Sequence, residues 1–189
     1  MERIQAAQWT REDARRTVME AGSKSGLKKP SPRATINDME KQNVTREYLD
    51  AAAPGQGSVS YQKGYKPGEH KKEIQMAEWL YNTFGGDVSL LTESKEPGDK
   101  TPDFLWNGKS WELKGVSGKS SVDRAVRDAA KQIQVNTGGI ILDCSASVLP
   151  TEDIESIVSQ RARRVALDSV DVLFVSDSKI KKVLRYTKK

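Results

Sequence analysis

Two apolar runs in the second half of the chain lack the polar alternation of a half-exposed strand: GIILDC at 139–144 and VDVLFVS at 170–176. Strands of this kind are buried on both faces, as in a sheet that helices cover. A helix is predicted between them from about Glu152 to Ala166, with Thr151 as its capping residue. The two runs therefore predict an α/β fold with a central sheet.

The segment before these runs supplies the rest of the pattern. In 71–86 the apolar residues recur at helical spacing, and two glycines end the helix. A strand at 88–93, a hairpin at 103–115, a second helix from Ser120 or Ser121 and a last strand at 179–186 are also predicted. This order of elements predicts a mixed central sheet flanked by helices on both faces.

Residues 1–68 are predicted to form a largely irregular and helical N-terminal extension with a linker, and 69–189 to form the domain. A chain of 189 residues suits one core with extensions. Short helices are expected at 10–22 and 46–53. The stretch 54–68 holds four glycines and two prolines, which is typical of a linker.

Several classes of protein are excluded by composition. No apolar run reaches the roughly 20 residues that span a bilayer, and no secretory signal opens the chain, so we expect a soluble protein without a membrane partner. With Cys144 and His70 as the only cysteine and histidine, internal disulfides and His/Cys zinc sites are excluded. Cys144 is interpreted as a structural thiol and His70 as a solvated residue at a helix start.

The hairpin lies in the segment TPDFLWNGKSWELKG at 101–115. Asn107 and Gly108 both tolerate the positive φ angles of a type I′ turn, so they predict a two-residue loop. That loop pairs Phe104 with Trp111. Because side chains alternate along a strand, one face of the hairpin is apolar and the other is charged.

On the charged face, the same register sets Asp103 opposite Glu112, with β-carbons roughly 5 Å apart. Opposed like charges destabilise a sheet, so stability gives no reason for the pair. A divalent cation such as Mg²⁺ or Mn²⁺ gives a reason for the pair, because it binds carboxylates together with water and substrate phosphate. Lys114, two residues after Glu112, can neutralise the site and orient or deprotonate a water.

The alternative is an exposed hairpin on which Lys114 merely balances the acids, and the pattern E-x-K alone is common. The conjunction of features favours a site. A helix precedes, Pro102 and Asp103 begin one strand, a tight turn follows, and E-x-K continues on the partner strand at the matching register.

With Pro102-Asp103, then Glu112-Leu113-Lys114, then a helix and a buried strand, the chain resembles the PD-(D/E)XK nuclease superfamily from residue 69 to about 184. The resemblance implies a restriction-endonuclease-like fold and a metal-dependent nuclease. It implies Asp103 and Glu112 as ligands of Mg²⁺ or Mn²⁺ and Lys114 as the residue that assists the attacking water.

The same resemblance implies an acid from the first helix in the metal shell. Glu73 is preferred because Ala77 and Leu80 follow it at four and seven residues, as in that family's first helix. Glu69 and Glu78 stay open as alternatives.

A substrate surface is predicted on the helix after the hairpin. Arg124, Arg127 and Lys131 share one helical stripe, with Gln132 beside it. In related nucleases a lysine or glutamine of this helix lies by the active site, so these four residues are predicted to bind nucleic acid. In the alternative, the two arginines pair with the neighbouring aspartates on a solvated face.

Within the superfamily the chain looks most similar to the CdiA C-terminal tRNA nuclease toxins of contact-dependent growth inhibition, which also resemble domains at the ends of phage head morphogenesis proteins. The segments 70–80, 101–115 and 129–143 carry this likeness. It implies tRNA as substrate, action in a bacterial cytoplasm, and a small acidic immunity protein as partner. A DNA endonuclease of the same fold, or a non-catalytic nucleic-acid-binding or phage structural module, is the alternative.

Overall fold

The computed structural model describes residues 38–94, 96 and 100–189. All of them belong to one compact unit, Ile36–Lys189. The helix expected at 10–22 and the first part of the predicted extension lie outside the described residues.

The described residues form one eight-stranded mixed sheet with strand order β1-β8-β7-β6-β5-β4-β3-β2. β5, β6 and β7 run parallel, as do β2 and β3, and the other neighbours are antiparallel. The strands are β1 Met39–Asn43, β2 Gly57–Tyr61, β3 Gly86–Leu90, β4 Phe104–Trp106, β5 Lys109–Gly115, β6 Thr137–Asp143, β7 Ser169–Ser176 and β8 Lys179–Lys188. The predicted mixed sheet is confirmed.

Four helices of the described chain cover this sheet: α1 Thr45–Asp50, α2 Lys71–Thr83, α3 Lys119–Gln132 and α4 Thr151–Ala162. One apolar cluster unites α2 with Phe104, Trp106 and Trp111 of the hairpin. A second cluster unites α3 and α4 with the other face of β6 and β7. Burial from both sides explains why β6 and β7 lack polar alternation.

None of the helices in the described part of the chain is both long enough and apolar enough to cross a membrane.

Residues 39–61 were predicted to belong to the extension. They form the two edge strands of the same sheet and the helix α1. β1 pairs with β8 and β2 pairs with β3. The Val44 N–H donates to the Val183 carbonyl over 3.0 Å, and the Val183 N–H donates to Thr45 Oγ1 over 2.8 Å. These residues therefore belong with the sheet, although they precede the predicted boundary at residue 68. Short edge strands bury few side chains, which leaves little periodic signal in their sequence.

Candidate active site

The hairpin has the predicted turn and register. Asn107 and Gly108 have φ angles of 49° and 74°, as a type I′ turn requires. Phe104 lies opposite Trp111, and the paired residues continue along both strands up to the loop, as expected. The predicted turn and the pairs from Phe104 onward are confirmed, whereas Asp103 lies just before β4 and outside the ladder.

The two faces of β5 are also as predicted. Trp111 packs in the apolar cluster under α2. Glu112 lies beside Ile140 of β6, and Lys114 lies beside Leu142. Both of these β6 residues face the core under α3 and α4, so Glu112 and Lys114 point to that face.

Asp103 and Glu112 are brought together by a reciprocal pair of hydrogen bonds. The Asp103 N–H donates to Glu112 Oε2 over 3.1 Å. In return, the Leu113 N–H donates to Asp103 Oδ2 over 2.8 Å. Each carboxylate is therefore fixed by the backbone next to the other one, with Asp103 just before β4 and Glu112 in β5.

Lys114 completes this group. Its ammonium donates a hydrogen bond to Glu112 Oε1. The Glu112 side chain is fully buried, whereas that of Lys114 is 30% exposed. The lysine therefore links a buried carboxylate to solvent.

Burial raises the pKa of Asp103 to about 7, and the charge of Glu112 adds to this increase. Burial also raises the pKa of Glu112, although the hydrogen bond from Lys114 opposes that shift. The physical cause is the cost of holding negative charge away from water, increased for Asp103 by like charge nearby. At neutral pH the metal-free pair therefore binds a proton readily.

Glu73, the preferred acid of α2, acts on this pair through its charge, which raises the pKa of both carboxyls. Its own oxygens are occupied. The Tyr65 hydroxyl donates to Glu73 Oε2 over 3.0 Å, and His70 Nδ1 lies 2.9 Å from Oε1. The hydrogen bond to Glu73 raises the pKa of His70.

The two alternative helical acids differ from Glu73. Glu69 forms an ion pair with Lys66 at 3.0 Å, and Glu78 is exposed. Within residues 38–94, 96 and 100–189 no group of three or more His, Cys, Asp and Glu side chains is placed to hold a metal ion. The structure thus brings together two carboxylates, with Glu73 behind them.

The predicted nucleic-acid residues of α3 are not all equivalent. Gln132 Nε2 donates to the Thr101 carbonyl over 3.3 Å, which places it beside the strand that carries Asp103. Arg127 pairs with Asp128 at 3.1 Å, the alternative that the sequence left open. Lys131 lies 3.6 Å from the same carboxylate, and Arg124 is exposed.

Sequence reasoning missed Tyr65, and it placed His70 correctly at the start of α2 without predicting its contact with Glu73. Both contact Glu73 and so belong to the surroundings of the site. Tyr65 lies in the glycine-rich stretch that was interpreted as linker, and nothing in its local pattern pointed to a site. The i, i+3 spacing of His70 and Glu73 at the start of α2 could have indicated their contact.

Cys144 follows β6, and burial raises the pKa of its thiol to about 11. A thiol of such high pKa is a poor nucleophile at neutral pH, which supports the interpretation as a structural residue.

Comparison with known proteins gives little to set beside this geometry. No family model and no curated protein matches the sequence. A solved structure that does match is a CdiA-CT/CdiI toxin and immunity complex from Burkholderia pseudomallei. The identity is 18% and the TM-score 0.44, over 69% of this chain and 99% of that one.

Proposed function

We propose that the chain is a metal-dependent endonuclease with a restriction-endonuclease-like fold, which hydrolyses phosphodiester bonds of nucleic acid. The observation that carries this proposal is the pair Asp103 and Glu112. Their carboxylates are held next to each other, away from water, at a cost in stability that a bound cation would remove. Lys114 stands at the solvent side of the same group.

The residues fit Mg²⁺ or Mn²⁺. Such ions are held by one or two carboxylates, with water and substrate phosphate in the other positions. The juxtaposed carboxylates of Asp103 and Glu112 match that ligand set, and the negative charge of Glu73, which acts on both, favours a cation further. When bound, the cation would polarise the scissile phosphate and lower the pKa of a bound water.

The side chains of this site have separate tasks in the proposed reaction. Two backbone N–H groups hold the carboxylates in fixed orientations before substrate arrives. Lys114 is anchored by Glu112 and partly exposed, so its ammonium can hold the attacking water and offset the charge that builds up on the phosphate. Gln132, which contacts the Thr101 carbonyl, and Lys131 next to it on α3 would contact a neighbouring phosphate.

The proposed substrate is tRNA, with DNA second, following the sequence resemblance. Total tRNA and plasmid are incubated with the protein in Mg²⁺, Mn²⁺ or EDTA, and the ends of the products are sequenced. We expect cleavage in either metal, none in EDTA, and 5′-phosphate ends. Cleavage that EDTA does not reduce would contradict the metal site.

Variants of the site residues test whether cleavage depends on this site. Asp103→Asn and Lys114→Met are expected to lower cleavage by about 10² or more. Asp168→Asn is the matched control, because its side chain is 97% exposed and lies outside the site. Tight binding of nucleic acid without any cleavage would favour the non-catalytic module instead.

The toxin role belongs to the same proposal and includes a small acidic immunity protein as partner. Co-expression with the product of the neighbouring gene tests it. We expect a stable complex in which cleavage of tRNA is inhibited, and cleavage unaffected by that product would contradict the immunity partner.

A further inference from the structure

Three aromatic rings form a continuous stack at the edge of the sheet. Tyr61 and Tyr65 have ring centroids 5.4 Å apart with planes inclined by 33°. Tyr65 and His70 follow at 5.2 Å and 34°. Tyr61 ends β2, the outermost strand on this side, and 47% of its surface is exposed.

The inner end of this stack reaches the proposed active site. Tyr65 and His70 both hydrogen-bond Glu73, at 3.0 and 2.9 Å. The three rings therefore lead from the edge strand to Glu73, the helical acid of the proposed site.

A cavity and several lysines lie beside the rings. A cavity of about 330 Å³ opens between the 63–70 segment and Thr92 and Glu93, within the range of pockets that hold small ligands. The cavity lining is mixed in charge, with Lys63 and Lys66 against Glu69 and Glu93, and Lys71 and Lys72 follow at the start of α2. Of these lysines, Lys66 pairs with Glu69, whereas Lys63 and Lys71 are exposed.

The stack differs from the other aromatic contacts of the described chain. Each of those involves Phe84, Trp106 or Trp111, which are buried in the core. A core gains stability from such contacts. An exposed tyrosine on an edge strand gains less, and it leaves a π-face open to a ligand.

We infer that Tyr61, Tyr65 and His70 form a platform on which unpaired bases of the substrate stack, so that the site takes single-stranded nucleic acid in preference to continuous duplex. The inference deepens the proposed function and rests on it. Bases stack on aromatic side chains without regard to sequence, while nearby lysines follow the phosphates. In a duplex the bases are stacked on each other and are not available to these rings.

Binding in EDTA tests the platform without cleavage. Fluorescence anisotropy of the full chain is measured with labelled single-stranded RNA, single-stranded DNA and a duplex of the same length. Tyr61→Ala is expected to weaken single-strand binding about tenfold, and Tyr61→Phe, which keeps the ring, to change it less than about twofold. Duplex binding is expected to be weaker than single-strand binding and the same in all variants.

Leu49→Ala is the matched control, since Leu49 is a similarly exposed apolar residue, at 49%, outside the platform. It is expected to bind like the unmodified chain. The platform is overturned if Tyr61→Ala binds single strands as tightly as the unmodified chain, or if duplex binding falls equally. A preference for RNA or DNA among single strands identifies which polymer supplies the unpaired bases.

Cleavage measured in parallel separates this inference from the proposed function. If Tyr61→Ala loses single-strand binding in a protein that never cleaves, the platform stands and the nuclease proposal fails. If the protein cleaves, and Tyr61→Ala binds and cleaves single strands as the unmodified chain does, the nuclease proposal stands and the platform fails. Equal thermal unfolding of all variants confirms that they are folded.

Discussion

Asp103 and Glu112 are a chemically unequal pair, although both are acids at one end of the same hairpin. Glu112 accepts hydrogen bonds from Lys114 and from a backbone N–H, whereas Asp103 accepts one from the Leu113 N–H. Charge on Glu112 is therefore compensated better than charge on Asp103. In the protein without a bound cation, the negative charge of Asp103 is therefore the one that is less well compensated.

Asp103→Asn is expected to stabilise the metal-free protein at pH 8 but not at pH 4. Asparagine can still accept the Leu113 N–H and carries no charge. The pKa of Asp103 is raised from 3.8 to about 7 in the fold, so its contribution to stability is present below pH 4 and is lost as pH rises through 7. Thermal unfolding in EDTA at both pH values measures this. A gain at pH 8 of about 1 kcal/mol would raise Tm by roughly 2–4 °C.

Glu112→Gln provides the contrast at the same site. Glutamine offers one acceptor oxygen where the carboxylate served two donors, Lys114 and the Asp103 N–H. We expect a loss of about 1–3 kcal/mol at pH 8, because one buried donor loses its partner. Equal behaviour of this variant and Asp103→Asn would contradict the unequal pair.

Removal of Lys114 is expected to make folding depend on the cation. In Lys114→Met the buried Glu112 loses its counter-charge, which costs about 1–3 kcal/mol in urea unfolding when the exposure of the lysine is allowed for. Mg²⁺ should recover part of this loss by supplying positive charge at the same carboxylates. Failure of Mg²⁺ to raise the stability of Lys114→Met would contradict a cation at Glu112, and Asp168→Asn, which keeps the site, is the control that should lose no stability without Mg²⁺.

At the scale of elements, β8 is tied to β7 and α1 by one arginine. Arg185 donates to both oxygens of Asp171, at 2.8 and 2.9 Å, and to both oxygens of Glu47. Asp171 is buried and also accepts the Tyr48 hydroxyl, whereas the Glu47 side chain is 56% exposed. The two acids therefore depend on Arg185 to different degrees.

Arg185→Met is expected to cost about 3 kcal/mol of unfolding free energy, because it leaves the Asp171 charge buried without its partner. Glu47→Gln removes only an exposed pair and should cost less than about 1 kcal/mol. Urea unfolding of the two variants measures the difference. Equal losses would mean that burial of Asp171 does not decide the strength of this contact.

Elements with strong local signals were predicted within a few residues. The hairpin followed from Asn107 and Gly108, and α2 from its apolar period, because each of these signals lies inside the element itself. β1 and β2 were missed. Their residues MEKQN and GSVSY carry mostly exposed side chains. The partner of β1 lies far along the chain, and β2 itself lies in a stretch rich in glycine.

At the scale of the whole molecule, the described contacts place the start of the folded unit before β1. A chain that begins at Ile36 is therefore expected to unfold cooperatively, with the Tm of the full chain. A chain that begins at Glu69 loses β1, α1 and β2 and should unfold at much lower temperature or without cooperativity, because Arg185, Asp171 and the Val183 backbone lose partners.

Calorimetry of the two truncated chains measures this expectation. A shorter chain from Glu69 with an unchanged transition would show that the domain begins where the sequence alone placed it. Single-strand binding by the same chain gives a second readout, since that truncation also removes Tyr61 and Tyr65.

The sequence by itself determined the mixed α/β fold, the turn, the strand register and the pairing of Asp103 with Glu112, since these depend on local backbone preference and on alternation along a strand. Only the tertiary structure decided the burial of the pair, the contact of Glu73 with Tyr65 and His70, and the inclusion of 39–61 in the sheet. These depend on which distant segments come to lie together. No local pattern records that choice, because it is set by the free energy of packing the whole chain.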